Sequence, residues 1–165
     1  MTDGFHHIAL RVSDIERATA FYVDVFSAER AVLPFATDGS LAETIMAGPA
    51  GVSFVSCMLR LGSGYMELFE FRNPTHDMEP AHPTRGNILH VCLRVDDVDA
   101  TARAAEAHGG RRLWSEIERW GAAHTMLIAD PDGNVIELID APIDEVVRMT
   151  HAMFPDTDPA NVRRR

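Results

Sequence analysis

A short motif occurs twice in the chain, and this repetition constrains the fold more than any other feature of the sequence. Residues 7–14 (HIALRVSD) reappear as residues 90–97 (HVCLRVDD), 83 positions later. A second match closes the two units, because residues 66–70 (MELFE) resemble residues 136–140 (IELID), 70 positions later. Self-similarity of this kind indicates a repeated supersecondary unit. The sequence therefore predicts two tandem modules, each of which begins with a histidine and ends near a glutamate.

Each unit begins with the pattern of a strand followed by a helix. Apolar residues alternate with others over residues 7–12, the period of a strand with one face on a core. Ser13 and Glu16 have the spacing of a capping box, and the apolar residues after them recur at helical spacing. The second unit repeats the alternation, with Asp97 as the predicted N-cap and the glycines at 109–110 as the end of the helix.

The remainder of each unit predicts strands joined by tight turns. The predicted strands are 52–61 and 65–71 in the first unit, and 124–129 and 134–139 in the second. Glycines at 62 and 64 favour a hairpin in the first unit, and Asp130-Pro131-Asp132-Gly133 favours a turn in the second. Both units are therefore βαβββ in outline, and the predicted fold class is α+β.

The modules are predicted at residues 5–72 and 88–141. Residues 73–87 contain three prolines and are predicted to form an exposed linker between the modules. Residues 142–165 form a C-terminal tail, in which the apolar spacing predicts an amphipathic helix that docks on the body or on a second subunit.

Composition excludes several classes of function. All 15 basic residues are arginine, so neither a Schiff base nor a lysine general base is available. The formal net charge of −10 argues against nucleic-acid or membrane-surface binding, which need a basic face. We find no segment that resembles a membrane span or a signal peptide, and we expect a cytoplasmic protein. Cys57 and Cys92 lie in apolar runs without metal-site spacing and are predicted to be buried, reduced thiols.

Four repeated polar residues, His7, Glu67, His90 and Glu137, form the candidate site. Strand parity places each of them on the face that points away from the helices. Burying a carboxylate without a partner costs several kcal/mol. A strand glutamate between apolar neighbours therefore needs a cation or a hydrogen-bond network. Two imidazoles and two carboxylates suit a divalent ion of Ni, Co, Fe, Mn or Zn. The alternative is a solvent-exposed position for each residue, but the repetition at matching ends of two units favours a metal site.

These motifs resemble the vicinal oxygen chelate superfamily, which includes glyoxalase I, methylmalonyl-CoA epimerase, extradiol dioxygenases, and fosfomycin- and bleomycin-resistance proteins. The resemblance covers residues 5–141 and is most specific at DPDGNVIELI, residues 130–139. It implies two βαβββ modules that form a curved, half-open mixed sheet around a metal, with the helices on the outside. The four repeated residues would be the metal ligands.

The ligand set resembles that of the isomerases in this superfamily, in which the metal chelates two neighbouring substrate oxygens and stabilises an enediolate. The resemblance therefore implies a metal-dependent isomerase, epimerase or lyase, with Glu67 or Glu137 leaving the metal to act as the base; Glu43 is an alternative base. Extradiol dioxygenases carry a tyrosine where this chain has Leu127, so Fe(II)-dependent ring cleavage is a weaker alternative. Bleomycin-resistance proteins lack the ligands, and non-catalytic small-molecule binding or resistance is the other alternative.

Six further residues are predicted to bind the substrate. They are Arg11, Tyr65, Phe69, Phe71, Arg94 and His124. Arg11 matches an arginine that glyoxalase I uses to hold glutathione, whereas Phe71 replaces an asparagine with the same role. A CoA thioester or another chelatable carbonyl acid is therefore as well supported a substrate as a glutathione adduct. Salt bridges could explain the two arginines instead, and core packing the aromatic residues. Related proteins complete the site within one chain or across two, and we expect a homodimer.

Overall fold

The chain forms two β-sheets, one from each repeated unit, and the computed structural model describes residues 5–75, 88–157 and 159. The first unit contains β1 (His7–Val12), α1 (Ile15–Phe26), β2 (Glu29–Thr37), α2 (Gly39–Met46), β3 (Ser53–Leu61) and β4 (Gly64–Asn73). The second unit contains β5 (Val91–Arg94), α3 (Val98–Ala107), β6 (Arg111–Arg112), β7 (Glu118–Trp120), β8 (Ala123–Ala129) and β9 (Val135–Ile139). The helix α4 (Ile143–Met153) and a 3-10 turn (Pro155–Thr157) follow. Most of the predicted linker, residues 76–87, lies outside the described residues.

Both sheets are mixed and have the same plan. The strand order is β1-β4-β3-β2 in the first sheet and β5-β9-β8-β6 in the second, where β7 also pairs with β8. In each sheet the first strand of the unit runs parallel to the last, and the remaining pairs are antiparallel. The predicted α+β fold with two tandem modules is confirmed. The helix α2 is an addition to the βαβββ outline that the sequence pattern did not reveal.

The register of the strands shows that the two units are structurally equivalent. In the first sheet Ala9 lies opposite Glu67, and in the second Cys92 lies opposite Glu137. The residue two positions before Ala9 is His7, and the residue two positions before Cys92 is His90. Each unit therefore places its histidine and glutamate on neighbouring strands, at the same register and on the same face.

One hydrophobic core packs against the other face of both sheets. Leu10 of β1 and Leu68 of β4 join Met126 and Leu138 of the second sheet in this core. The apolar stripe of α1 enters it through Tyr22, which is fully buried, and α3 contributes the thinner stripe predicted from the sequence. Burying one large apolar side chain contributes about 1.5–3 kcal/mol to folding. The histidine–glutamate pairs lie on the opposite face of each sheet, outside this core.

The start of α1 differs from the prediction. Asp14, not Ser13, is the N-cap, because its carboxylate accepts hydrogen bonds from the backbone N–H groups of Glu16 and Arg17, both at 3.0 Å. Ser13 instead donates its backbone N–H and its hydroxyl to Asp132. The capping box was therefore wrong: the serine bonds a residue of the other unit, a contact that local spacing does not reveal. The N-cap predicted for α3, Asp97, is confirmed.

The Asp130–Asn134 turn joins the two units. Asp130 accepts a hydrogen bond from the Tyr22 hydroxyl at 3.0 Å, and the Asn134 side-chain amide donates to the backbone oxygen of Arg11 at 3.1 Å. Burial raises the pKa of Tyr22 well above its ordinary value, and the Asp130 charge raises it further, so the hydroxyl remains a donor. The most specific motif of the sequence thus holds the modules together.

We expect Tyr22→Phe to lower the free energy of unfolding by about 2 kcal/mol, because it removes a buried hydrogen bond to a carboxylate. Urea unfolding measures this change. Tyr65→Phe is the matched control, since Tyr65 is partly exposed, and it should change stability by less than about 0.5 kcal/mol. Equal losses in the two variants would contradict a specific role for the Tyr22–Asp130 bond.

The predicted C-terminal helix is present as α4. Its Val146 and Met149 pack on a small cluster formed by Ala123, Ile139 and Ala141. The Thr150 hydroxyl of α4 also accepts a hydrogen bond from the Trp120 ring nitrogen at 3.1 Å, so α4 docks on the second unit. None of the helices in the described ranges is long and apolar enough to cross a membrane.

The two cysteines differ in exposure. Neither is in a disulfide; Cys57 is buried as predicted, whereas Cys92 is exposed. The prediction for Cys92 was wrong because β5 is an edge strand and the residue lies on the face that the shared core does not cover.

Candidate metal and substrate site

The first histidine–glutamate pair lies on the polar face of the first sheet. His7 Nε2 is 3.7 Å from Glu67 Oε2, and both side chains are partly exposed. Glu67 sits between the buried residues Met66 and Leu68, because successive side chains of a strand point to opposite faces. The sheet thus buries the neighbours of the glutamate and leaves its carboxylate open.

The second pair is closer and more extensively hydrogen-bonded. His90 Nε2 is 3.0 Å from Glu137 Oε2, and the Thr125 hydroxyl donates to Glu137 Oε1 at 2.9 Å. Partial burial of the Cys92 thiol, together with the charge of Glu137 and a hydrogen bond to it, raises the pKa of Cys92 to about 12. The thiol is therefore protonated at neutral pH and can donate to the carboxylate.

His6 also contacts the first pair, which the sequence did not predict. Its Nδ1 is 2.7 Å from Nδ1 of His7, which leaves Nε2 of His7 on the side of Glu67. His6 precedes β1, so the alternation of the strand does not fix the side on which its ring lies. Metal-binding histidines commonly have their second ring nitrogen held by such a partner. The only signal in the sequence was the adjacency of the two histidines.

The two pairs do not form one cluster within the chain. Among residues 5–75, 88–157 and 159, no group of three or more His, Cys, Asp and Glu side chains is close enough to hold one metal ion. Each pair supplies one imidazole nitrogen and one carboxylate, and the two pairs together supply a donor set that fits a divalent transition metal. A metal site formed by all four residues stays a prediction.

Residues predicted to bind substrate surround the first pair to different degrees. Tyr65 lies opposite His7 in the register and is partly exposed. The Arg11 guanidinium lies 5.5 Å from the centre of the Phe71 ring, over its face. Phe69 is buried against Phe54 in a second small core beneath α2, and Phe71 packs at its edge. Core packing thus explains the positions of Phe69 and Phe71, although both share the face of the sheet with Glu67.

Arg94 belongs to the second unit and does not lie beside the first pair. It is exposed and lines a cleft of about 910 Å³ between the modules, together with Tyr65 and Cys92. Glu43, the alternative base, accepts a hydrogen bond from the backbone N–H of Gly51 at 2.7 Å, so its carboxylate holds the loop after α2.

His124 is not brought to either pair. It alternates with Thr125 and Leu127, which share the face of Glu137, so its side chain starts on the other face of β8. Its Nδ1 is 2.7 Å from Asp140. Burial alone would raise the pKa of Asp140, but the backbone N–H, the ring and the charge of His124 lower it more, and the pKa lies below its ordinary value. The Arg119 guanidinium donates to Nε2 of the same ring at 3.1 Å, so His124 bonds Asp140 and Arg119 and lies away from both histidine–glutamate pairs.

Comparison with known proteins defines the class. A sequence model of the Glyoxalase/Bleomycin resistance protein/Dioxygenase superfamily matches residues 4–138. With its two equivalent modules and paired histidines and glutamates, the chain belongs to this superfamily, and the resemblance noted in the sequence is confirmed.

Individual relatives include enzymes. The chain is 30% identical to a 2-epi-5-epi-valiolone epimerase of an Actinomyces species over 149 residues, which cover 83% of this chain and 79% of the relative. It is 26% identical to a probable lactoylglutathione lyase of Vibrio cholerae over 136 residues, 81% of this chain and 87% of the lyase. Its fold is similar to that of the Listeria monocytogenes fosfomycin resistance protein FosX complexed with Mn(II) and sulfate, with a TM-score of 0.57, 19% identity, and coverage of 89% of this chain and 99% of FosX.

Proposed function

We propose that the chain is a metal-dependent isomerase or epimerase that moves a proton on a carbon beside a carbonyl group. Its substrate would be a small molecule with two neighbouring oxygens. The observation that carries the proposal is the equal register of the two histidine–glutamate pairs on equivalent faces of the two modules. A surface role for these residues gives no reason for such duplication.

His7, Glu67, His90 and Glu137 would hold the metal, and Mn(II) in the structure of FosX supports a divalent ion of Mn, Ni, Co, Zn or Fe. A bound divalent ion would supply positive charge that stabilises the negative charge developing on a substrate oxygen. The two carboxylates balance the charge of such an ion, and the neutral imidazoles add none.

The remaining chemistry falls to side chains of the chain itself. Without lysine, a carboxylate or a histidine must take the proton from carbon and return it, and Glu67 and Glu137 are the carboxylates on the proposed site. Arg94, exposed in the cleft, and Arg11, beside Phe71, would hold an anionic group of the substrate. Tyr65, which lies opposite His7 in the register, would contact the substrate and exclude water.

We further propose that a homodimer completes the site, with one pair from each copy. The chain alone keeps the two pairs apart, whereas one metal needs both. Large exposed apolar residues precede both histidines in the sequence. Phe5 is two residues before His7, and Ile88 and Leu89 come directly before His90. Packing of a second copy over these residues would remove them from water.

The epimerase relative favours a cyclic hydroxyketone as substrate, and the lyase relative keeps a glutathione hemithioacetal as the second candidate. Metal analysis of the purified protein and a panel of substrates test the proposal. The panel contains 2-epi-5-epi-valiolone, the hemithioacetal of methylglyoxal and glutathione, methylmalonyl-CoA and catechol. We expect metal-dependent turnover of one of the first three. Oxygen consumption with catechol would support a dioxygenase instead, and tight binding without turnover would support a resistance protein.

A further inference from the structure

Glu67 and Glu137 occupy equivalent positions in the two sheets, but their carboxylates have different neighbours. Glu137 accepts a hydrogen bond from the Thr125 hydroxyl at 2.9 Å and lies 3.0 Å from His90 Nε2. Cys92 lies directly opposite Glu137 in the register, on the same face as the carboxylate. The Thr125 hydroxyl of β8 therefore holds the Glu137 carboxylate in one orientation, and His90 and Cys92 flank it.

Among the residues that the structure describes, no such groups hold Glu67. Ala9 lies opposite Glu67, where Cys92 lies opposite Glu137. Ser56 is the equivalent of Thr125, because Ser56 lies opposite Phe69 and Thr125 lies opposite Ile139, and both partners are two residues after the glutamate. In the described part of the chain, the carboxylate of Glu67 contacts His7 at 3.7 Å and accepts no hydrogen bond. The Glu67 side chain can therefore change rotamer without breaking a hydrogen bond.

We infer that Glu137 is the fixed metal ligand, positioned by Thr125 and Cys92, and that Glu67 is the mobile carboxylate that transfers the proton; this inference rests on the proposed function. In the step, the C–H bond beside the carbonyl breaks and its proton goes to a Glu67 oxygen. The electron pair moves towards the carbonyl oxygen of the substrate. Glu67, whose proton can first exchange with solvent, then protonates either the neighbouring carbon or the opposite face of the first carbon. In the first case the substrate hydroxyl proton moves to the former carbonyl oxygen, so the product is an isomer in both cases and no co-reactant is needed.

The division of roles follows from what each task requires. A ligand must stay in one geometry, and outer hydrogen bonds that hold it typically contribute 10- to 100-fold, roughly, to metal affinity. A base must approach the substrate carbon, and a carboxylate without hydrogen bonds moves at the smallest cost. Thr125 and Cys92 are positioning residues in this scheme, and Glu67 is the catalytic residue.

The first test measures affinity for Mn²⁺ alone by titration calorimetry. Thr125→Val removes the hydroxyl at nearly constant shape, and we expect the Kd to rise about 10-fold. Ser56→Ala removes the equivalent hydroxyl in the first sheet and should leave the Kd unchanged. Thr125→Ser keeps a donor and should restore binding. Thermal unfolding of each variant checks that the fold is retained. Equal weakening by Thr125→Val and Ser56→Ala would overturn the positioning role.

The second test compares the two glutamates. We expect Glu137→Gln to weaken Mn²⁺ binding at least about 100-fold and Glu67→Gln at most about 10-fold. With the panel compound that the wild-type protein turns over, Glu67→Gln should slow incorporation of solvent deuterium at carbon by roughly 10²- to 10⁴-fold while Mn²⁺ stays bound. Equal loss of Mn²⁺ in both variants, or unchanged deuterium incorporation in Glu67→Gln, would overturn the inference alone. A wild-type protein that binds no divalent ion would instead overturn the proposed function.

Discussion

Replacing Glu137 with alanine should abolish both metal binding and turnover. The substitution removes one of four ligands, and it leaves His90 and Thr125 without the carboxylate they contact. We expect the bound metal to fall below about a tenth of the wild-type content and turnover to fall at least about 10³-fold, since a metal ion provides several kcal/mol of charge stabilisation. Metal analysis after dialysis and steady-state kinetics measure the two effects.

His90→Ala should have the same result, because it breaks the same pair. Glu118→Ala is the matched control: Glu118 is an exposed strand glutamate of the same sheet, and its removal should leave metal content and turnover unchanged. Wild-type metal content in both Glu137→Ala and His90→Ala would exclude the proposed site.

The second large effect is recovery of activity when two inactive variants are mixed. If each site takes one pair from each copy, a dimer of His7→Ala with His90→Ala contains one intact site and one doubly damaged site. Random exchange makes half of the dimers mixed, so we expect recovery of about a quarter of the wild-type sites. Unfolding and refolding the two variants together, followed by activity and metal measurements, tests this expectation.

A mixture of His7→Ala with Glu67→Ala is the control. Both substitutions damage the first pair, so no combination of copies restores a site, and activity should stay at the background level. Absence of recovery in both mixtures would show that the site is completed within one chain. Equal recovery in both mixtures would show that the two pairs do not share a site.

Much of the fold was predictable because it depends on local, periodic patterns. The alternation in β1 and the match between residues 7–14 and 90–97 identified the repeat and both opening strands. The helix α2 was missed because its eight residues form too short a pattern to distinguish from a loop. Ser13 was misassigned because its real partner, Asp132, is 119 residues away.

The candidate site was predictable only in part. Strand parity placed the four residues on the faces that point away from the helices, and the structure brings each histidine to the glutamate of its own unit. Parity alone did not show that His124 would lie beside Asp140, because that depends on the register of β8 against β9, in which Thr125 lies opposite Ile139. Strand parity also did not predict that Thr125 would donate a hydrogen bond to Glu137 while Ser56 would make none to Glu67.

The sequence by itself determined the two equivalent units, since a repeat with strand and helix periods specifies the same local structure wherever it occurs. It also determined that the chemistry cannot use lysine. Only the tertiary structure decided how the units differ. Side chains from separate strands hold one glutamate and leave the other free, and the single chain keeps the two pairs apart. Such differences arise from contacts between segments that are distant in the sequence, and a local sequence pattern does not predict those contacts.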